Sequence, residues 1–386
     1  MYSPLSLRFG GGFEHWLLEI ATRLKKFGVN TSFLCTSSTV DGENRRFSES
    51  ISDVIHSIFR DYTELSHMPL SFGNFNLTLP HATGLKKMIS SLDDYDLLYF
   101  TNAYFLQDVL VASMKFLHKK PVISGHHAVL FQNAMLHDVY VRTIGRKCLS
   151  TFDSYHVLNS HDSQILRSWG LNRVFHIPIG VDTDKFRPEP REKCEPFRVL
   201  FVGRLVEQKG VDILCKAIGL INEAKRLDCN VGIEFVIVGV GPLEKLVIRL
   251  SKKYSNVKYM SCVSEEVLPE IYRGCDLFVL PSRRETFGIV ALEAQASGLP
   301  VISSNITGPK DIVVNNVTGK LISTSPESLA DSIKDYYKLW CDDYETYKWM
   351  SLNARENVLS QFGWDLVAKN MYELLKDSCD LCNSIT

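Results

Sequence analysis

The stretch Pro281-Ser-Arg-Arg-Glu-Thr-Phe-Gly-Ile-Val-Ala-Leu-Glu-Ala-Gln-Ala-Ser-Gly-Leu-Pro300 contains a strand-to-helix turn and the helix that follows it. The apolar run Asp276–Leu280 precedes it and is typical of a buried parallel strand. The helix is predicted to begin near Phe287 and to stop at Gly298. A buried strand that leads directly into a helix is the repeating unit of a layered α/β fold.

Two glutamates flank the start of this predicted helix. Glu285 lies in the turn, and Glu293 lies about two turns into the helix. Between them, the N–H groups of the helix N-terminus favour an anion. A nucleotide sugar offers the matching order of groups, which is sugar hydroxyls, diphosphate and ribose hydroxyls. Two surface glutamates on an ordinary strand–helix unit explain this stretch equally well, so the rest of the chain has to decide.

Length and composition indicate a soluble globular protein with two domains. The 386 residues suit two cores of roughly 180 residues each. An apolar content of 45%, a charged content of 23% and a net charge of −1 are typical of globular proteins and argue against nucleic acid as a partner. No apolar run approaches the roughly 18 residues of a membrane span.

The ten cysteines are scattered along the chain. The one close pair, Cys379 and Cys382, has no second pair beside it and is weak evidence for zinc or redox chemistry. A reduced, cytoplasmic setting is the simplest interpretation, and a peripheral association with the cytoplasmic face of a membrane stays open.

Short apolar runs alternate with amphipathic stretches along the whole chain, which predicts an α/β fold. Strands are predicted at 31–35, 97–101, 122–124, 154–158, 174–177, 198–202, 234–238, 257–260, 277–280 and 301–303. Helices are predicted at 14–27, 162–169, 211–226, 243–253, 265–273, 287–296, 326–340 and 364–376.

A break in this pattern falls within Ile177–Pro190, where three prolines and a glycine precede a charged run. We therefore expect two Rossmann-like domains, over 1–180 and 181–362, followed by a C-terminal helix within 363–386. Two such halves would face each other across a cleft, which is where a ligand is expected.

The first domain lacks a convincing opening strand. Only nine residues precede Gly10-Gly-Gly12, and they include a proline, an arginine and two serines. We expect either that the natural product carries further apolar residues before Met1, or that Tyr2–Leu7 is an imperfect substitute strand.

Two cations follow the strand that opens the second domain. Arg204 and Lys209 lie just beyond its carboxyl end, where a diphosphate needs positive charge. Ordinary surface cations in a solvated turn are the alternative.

The strand–turn Glu234–Leu243 carries Gly-x-Gly but has Glu244 at the place of the third glycine, so it predicts a tight turn near a nucleobase and not a dinucleotide site.

Two further patterns are less specific. His126 and His127 end a strand of the first domain, where an imidazole can donate to a sugar hydroxyl, although a single histidine is more often structural. Asp94-Tyr-Asp96 and Asp182-Thr-Asp184 match a metal-ligand pair but are more typical of turns, so no metal site is predicted.

Together these residues resemble family 4 of the GT-B glycosyltransferases, which are retaining enzymes that use nucleotide sugars. The resemblance covers nearly the whole chain, and its specific parts are Ile177–Pro188, Phe201–Gly210 and the Glu285-to-Glu293 segment. The family's fold implies an acceptor-side first domain, a donor-binding second domain and a last helix that crosses back onto the first. Ile179, where the family usually has asparagine, and Thr286, where it usually has glycine, depart from the pattern.

The resemblance implies a role for each matching residue. Catalysis would involve His127, with His126 as the alternative, and Glu285, which would contact the hydroxyls of the donor sugar. The substrate-binding residues would be Gly11 and Gly12 in the N-terminal glycine loop, Arg204 and Lys209 on the diphosphate, Gly288, Ile289 and Val290 with phosphate-binding N–H groups, and Glu293 on the ribose.

The expected activity is hexosyl transfer from a nucleoside-diphosphate sugar with retention of anomeric configuration, as in glycan biosynthesis. No cofactor and no metal are expected, because Arg204 and Lys209 supply the charge. The acceptor could be a glycan, a lipid-linked sugar or a small molecule. A catalytically inactive GT-B protein that binds sugar nucleotides or scaffolds a complex is the alternative, whereas an NAD oxidoreductase and a phosphorylase find no support in the motifs.

Overall fold

The computed structural model describes residues 2–3, 12–36, 62–65, 67–72, 75–80, 86, 89–90, 92–101, 107–126, 139–190, 193, 195–224 and 232–385. The chain divides into two compact units. One comprises Met1–Pro178 and Asp365–Thr386, and the other comprises Ile179–Trp364. The predicted sites at Gly11 and His127 fall outside the described residues.

The first unit has nine strands in its described residues, which are β1 (Tyr2–Ser3), β2 (Phe33–Thr36), β3 (Tyr62–Leu65), β4 (His67–Phe72), β5 (Phe75–Pro80), β6 (Leu98–Thr101), β7 (Val122–His126), β8 (Ser154–Val157) and β9 (Val174–His176). Seven of them form a parallel sheet with the order β3-β2-β1-β6-β7-β8-β9. A separate antiparallel hairpin pairs β4 with β5. The two residues of β1 pair with both β2 and β6, so a very short segment occupies the middle of the sheet.

Helices cover this sheet and bury their apolar faces on it. They are α1 (Gly12–Lys26), α2 (Gln107–His118), α3 (Arg146–Leu149) and α4 (Ser160–Ser168), with a π-helical turn over Val141–Gly145 and a 3-10 turn over Leu92–Asp94. The side chain of Asn159 caps α4 by accepting the amide N–H of Asp162 at 2.8 Å.

A buried polar network crosses the core of the first unit. The Tyr99 hydroxyl lies 2.6 Å from Nδ1 of His156, whose Nε2 lies 2.8 Å from the carbonyl oxygen of Ile177. Trp16 stacks on the imidazole at 5.7 Å. Burial lowers the pKa of His156 to about 4, so the ring is neutral near pH 7 and joins a Tyr99 donor to the end of β9.

The second unit is built on a parallel sheet of six strands, which are β10 (Phe197–Val202), β11 (Ile233–Val238), β12 (Val257–Met260), β13 (Leu277–Leu280), β14 (Val301–Ser304) and β15 (Gly319–Ile322). Their order in the sheet is β12-β11-β10-β13-β14-β15. The central strands are apolar on both faces because helices cover both sides, and all four residues of β13 are fully buried.

The helices of this unit are α5 (Val211–Ala224), α6 (Glu244–Lys253), α7 (Leu268–Arg273), α8 (Ile289–Ala296), α9 (Pro309–Ile312), α10 (Pro326–Asp342) and α11 (Tyr344–Gln361), with a 3-10 turn over Glu207–Lys209. Ser325 caps α10, and Asp343 caps α11. Phe197, Trp340 and Tyr347 pack together at the amino end of the sheet.

The last helix, α12 (Trp364–Ile385), contributes residues from Asp365 onward to the first unit. Asp377 accepts from Arg173 at 2.8 Å, and the hydroxyl of Ser378 meets that of Ser154 at 2.9 Å in a buried contact. Phe27 of α1's C-terminal turn stacks on Tyr372 at 5.0 Å. Polar and aromatic contacts therefore fasten this helix to elements that lie far away in the sequence.

Most predicted elements coincide with observed ones, and the bounds of β12 and β13 agree to the residue. The helix predicted to begin near Phe287 is present as α8 and ends at Ala296 as predicted, but it begins two residues later, at Ile289. The prediction also lacked α2, α3, α9, α11, β3, β15 and the β4–β5 hairpin. None of the helices in the described ranges combines the length and apolarity that a bilayer crossing requires.

Candidate functional site

The candidate site of the second unit lies where its sheet changes winding direction. Strand β10 pairs with β11 on one side and with β13 on the other. After β10 the chain adds β11 and β12 on one side, and it then crosses to the other side of β10 to add β13, β14 and β15. In an open parallel sheet, ligands bind at the carboxyl ends of the strands at such a switch point. The segments that emerge there are 203–210 after β10 and 281–288 after β13, which hold the predicted donor residues.

These two segments are fastened to each other through their backbones. Gly210 adopts a left-handed φ of 70°, and a Cβ on it would lie 1.9 Å from the carbonyl oxygen of Pro281. The amide N–H of Arg283 donates to the carbonyl of Gln208 at 2.8 Å. The guanidinium of Arg283 also forks onto the Asp212 carboxylate at 2.6 and 2.7 Å. The backbone around Gln208–Gly210 is therefore held close to that around Pro281–Arg283.

Lys209 and Glu285 meet across this junction. The Lys209 ammonium donates to the Glu285 carboxylate, with Nζ 2.5 Å from Oε2, and both side chains are largely buried, at 17% and 12% exposure. Arg204 is exposed at the end of β10. The structure thus brings together a cation and a carboxylate that are 76 residues apart in the sequence. A group that binds here meets positive charge and a hydroxyl acceptor side by side.

The start of α8 explains the error in the predicted helix bound. Gly288 is the N-cap with a left-handed φ of 101°, so the chain turns sharply before the first helical residue. Ile289 and Val290 then form the first turn, whose N–H groups have no acceptor within the helix. The predicted phosphate-binding residues therefore do lie at a helix N-terminus, beginning with the cap.

Glu293 lies on the same helix in a different environment. Its Oε2 accepts from the hydroxyl of Tyr272 at 2.8 Å. Burial raises the pKa of Glu293 to about 7, although the Tyr272 hydrogen bond and nearby Lys185 lower it and Glu265 raises it further. The carboxyl group therefore exchanges its proton near neutral pH.

Two of the predicted residues of the first unit, Gly12 and His126, lie at the ends of secondary-structure elements. Gly12 is the first residue of α1, at the position expected for a glycine that precedes a helix. His126, the alternative to His127, is buried at the carboxyl end of β7, with its ring 6.4 Å from that of Tyr155.

The Asp-x-Asp patterns have ordinary turn geometry. Oδ1 of Asp182 accepts the amide N–H groups of Asp184 and Lys185 at 3.0 and 2.9 Å. In the described part of the chain, no group of three or more histidine, cysteine, aspartate or glutamate side chains is arranged to hold a metal ion.

Three residues that contribute to the site were not singled out from the sequence. Arg283 and Asp212 fasten the two segments, and Tyr272 contacts Glu293. Asp212 and Arg283 stand close to the predicted residues in the sequence, but their pairing depends on the adjacency of β10 and β13. Tyr272 lies one helix earlier, and no local pattern distinguishes it from a core tyrosine.

Comparison with known families gives two adjoining matches. The family described as Glycosyltransferase Family 4 matches residues 10–185, and the family described as Glycosyl transferases group 1 matches residues 182–357. Together the two matches cover residues 10–357 and overlap at 182–185.

Curated relatives match part of the chain. An uncharacterized glycosyltransferase of Methanocaldococcus jannaschii is 31% identical over 232 residues, which are 59% of this chain and 54% of the relative. The GDP-mannose-dependent alpha-(1-6)-phosphatidylinositol monomannoside mannosyltransferase of Mycobacterium tuberculosis is 32% identical over 221 residues, which are 52% of this chain and 55% of the relative. The matched region thus spans about half the length of these relatives.

Solved structures resemble the whole chain. HepE of Anabaena, in complex with UDP, superposes with a TM-score of 0.74 at 18% identity and covers 97% of this chain and 98% of its own. Sucrose-phosphate synthase of Thermosynechococcus elongatus superposes with a TM-score of 0.70 at 20% identity, covering 95% of this chain and 94% of its own. These likenesses show that the fold is GT-B.

Glu293→Gln should stabilise the protein more at pH 8 than at pH 5. The pKa of Glu293 is raised in the folded state, so the wild type loses stability as the pH rises from the unfolded value, near 4.3, to about 7. Glutamine mimics the protonated form and removes this loss, which at about 1.4 kcal/mol per pKa unit is about 3 kcal/mol at pH 8 and about 1 kcal/mol at pH 5. The measurement is urea unfolding of variant and wild type at both pH values.

Glu266→Gln is the matched control, because Glu266 is exposed. It should change stability little at either pH. An equal effect of Glu293→Gln at pH 5 and pH 8 would show that the carboxyl group does not titrate in this range.

Proposed function

Because the chain belongs to family 4 of the glycosyltransferases, we propose that it transfers a hexosyl group from a nucleoside-diphosphate sugar to an acceptor, with retention of the anomeric configuration. The two family matches and the residues of the second unit's candidate site support this activity. Its setting is the synthesis of a glycan or glycoconjugate, in the cytoplasm or at the cytoplasmic face of a membrane.

The observation that carries this proposal is the contact between Lys209 and Glu285 at the switch point. A donor sugar with a diphosphate leaving group needs a cation beside the phosphates and an acceptor beside the sugar hydroxyls. A buried cation alone would suit any phosphate, and a buried carboxylate alone would suit any polyol. Their pairing on two interlocked segments suits a molecule that has both groups next to each other.

We assign each donor-side residue one role. Arg204 and Lys209 bind the diphosphate and stabilise the charge that develops on it as the sugar leaves. Gly288, Ile289 and Val290 offer N–H groups to a phosphate oxygen. Glu285 accepts from hydroxyls of the transferred sugar, and Glu293 accepts from the ribose. His127, with Gly11 and Gly12, is proposed to act from the first unit.

Retention is best explained by a front-face reaction. The bond between the anomeric carbon and the diphosphate oxygen breaks, and the acceptor oxygen forms its bond to that carbon on the same face. The acceptor proton passes to the departing diphosphate. Protein groups then need only position the two substrates and stabilise charge, which is the contribution that Lys209 and Arg204 can make.

The names of the relatives do not agree on a donor. The mannosyltransferase of Mycobacterium tuberculosis is named for GDP-mannose, whereas the HepE structure contains UDP. The proposed donor is therefore a nucleoside-diphosphate sugar whose base and sugar are to be found by screening. The acceptor is a glycan, a lipid-linked sugar or a small molecule.

Turnover tests the proposal directly. The purified protein is incubated with a panel of UDP-, GDP- and ADP-sugars, with and without cell extract as the source of acceptors, and released nucleoside diphosphate is measured. We expect release from at least one donor that extract increases, and a product whose anomeric configuration, read by NMR, equals that of the donor. Tight binding of a sugar nucleotide without turnover under any condition would favour the inactive alternative.

Activity should not require a divalent metal, because Arg204 and Lys209 supply the charge that a metal would supply in other transferases. The test compares turnover in excess EDTA with turnover in added Mg²⁺ or Mn²⁺. Equal rates are expected. Loss of activity in EDTA that titrated metal restores would contradict this part of the proposal.

Lys209→Ala should weaken nucleoside diphosphate binding by about one to two orders of magnitude. A charge-assisted hydrogen bond of this kind contributes about 1.5–3 kcal/mol. Titration calorimetry with the diphosphate of the active donor measures the change. Lys216→Ala, which removes an exposed lysine from α5 of the same unit, is the control and should bind as the wild type does. Unchanged affinity in a folded Lys209→Ala variant would remove Lys209 from the site.

A further inference from the structure

Tyr272 is fully buried on α7, and its ring is held from two sides. The edge of Phe186 packs against the ring at 5.6 Å with an interplanar angle of 86°, and Phe278 of β13 packs at 5.8 Å. The hydroxyl is thereby aimed at Oε2 of Glu293, at 2.8 Å, and lies 3.4 Å from the carbonyl oxygen of Val290. A phenylalanine ring would fill the same space, so the hydroxyl can be removed without changing the packing.

The charged neighbours of Glu293 come from two other segments. Lys185, in the segment after β9, favours the carboxylate, and Glu265, which precedes α7, disfavours it. These two side chains also lie 3.6 Å from each other, and Glu265 is 86% exposed, so solvent screens their influence. The Tyr272 hydroxyl is buried and in direct contact, so its effect on the carboxylate is not screened in this way.

The protonation state of Glu293 determines what it can bind. A carboxylate accepts hydrogen bonds on both oxygens, and one bond from Tyr272 leaves acceptor capacity for the two hydroxyls of a ribose. A protonated carboxyl group uses one oxygen as a donor and loses part of that capacity. Burial raises the pKa of Glu293 to about 7, and the Tyr272 hydrogen bond opposes that rise. Loss of the hydroxyl should therefore leave more of the protonated form at neutral pH.

We propose that Tyr272 is a positioning residue that holds Glu293 as an oriented carboxylate for a nucleotide ribose and so makes donor affinity depend on pH. The inference rests on the proposed role of Glu293 and deepens it. Tyr272 lies on α7, outside the two interlocked segments, and it would influence how the nucleotide end of the donor binds.

The test is the affinity for a nucleotide sugar between pH 5.5 and 8.5, measured by titration calorimetry. UDP-glucose or GDP-mannose is used, whichever the wild type binds, because its diphosphate has no proton that titrates in this range. Wild-type affinity should rise with pH, with a midpoint near the Glu293 pKa of about 7. Tyr272→Phe should move this midpoint upward by about one pH unit, and the two curves should approach each other at both ends of the range.

Two further variants separate the explanations. Tyr347→Phe also removes one buried hydrogen bond in the same unit, from its hydroxyl to the carbonyl oxygen of Asp276 at 2.7 Å, and should leave the midpoint unchanged. Glu293→Gln should bind with an affinity that no longer varies with pH.

Each failure has a distinct meaning. If Tyr272→Phe lowers affinity by the same factor at every pH, or does not change it, the tyrosine is only structural and the inference is wrong. If Glu293→Gln keeps the wild-type pH dependence, Glu293 is not the titrating group, and its ribose role falls together with the inference. Absence of nucleotide-sugar binding by the wild type would instead contradict the proposed function.

Discussion

The backbone contact between Gly210 and Pro281 is the constraint on which the donor side depends. It joins the segments after β10 and β13 so closely that no side chain fits between them. Because of this contact, Lys209 and Glu285 can meet although each lies on a different connection of the sheet. The Arg283–Asp212 fork secures the same junction from its outer side. A single rigid junction therefore sets the positions of both the cation and the carboxylate.

The sequence predicts best where local physics is sufficient. Strands β12 and β13 are short apolar runs with clear ends, and their bounds agree with the structure. The predicted start of α8 is two residues early because Gly288, in a left-handed conformation, is the N-cap and the helix begins only after it, and a glycine in sequence does not reveal its φ. Helix α11 was missed because only some of its residues are buried and its exposed face carries Trp349 and Leu352, so its apolar residues follow no clear helical stripe.

The site residues show the same division between local and tertiary information. Local patterns, and then the resemblance to a family, singled out Lys209, Glu285 and Glu293 one by one, since each belongs to a short ordered motif. The partners of these residues depend on which strands are neighbours. Asp212 could not be matched with Arg283, nor Tyr272 with Glu293, until the order of the sheet and the packing of α7 on α8 were known. A motif therefore points to candidate site residues but not to the groups that orient them.

The two glutamates of the motif are equivalent in sequence notation but not in physical environment. Glu285 is balanced by a lysine ammonium in direct contact, so its negative charge is neutralised before any ligand arrives. Glu293 receives a neutral hydroxyl instead, and burial moves its pKa to about 7. A ligand that approaches Glu285 must share an existing ion pair, whereas a ligand that approaches Glu293 at neutral pH also has to displace a proton from part of the population. With the roles proposed for these two glutamates, binding of the sugar end of the donor should be sensitive to competing ions, and binding of the nucleotide end should be sensitive to pH.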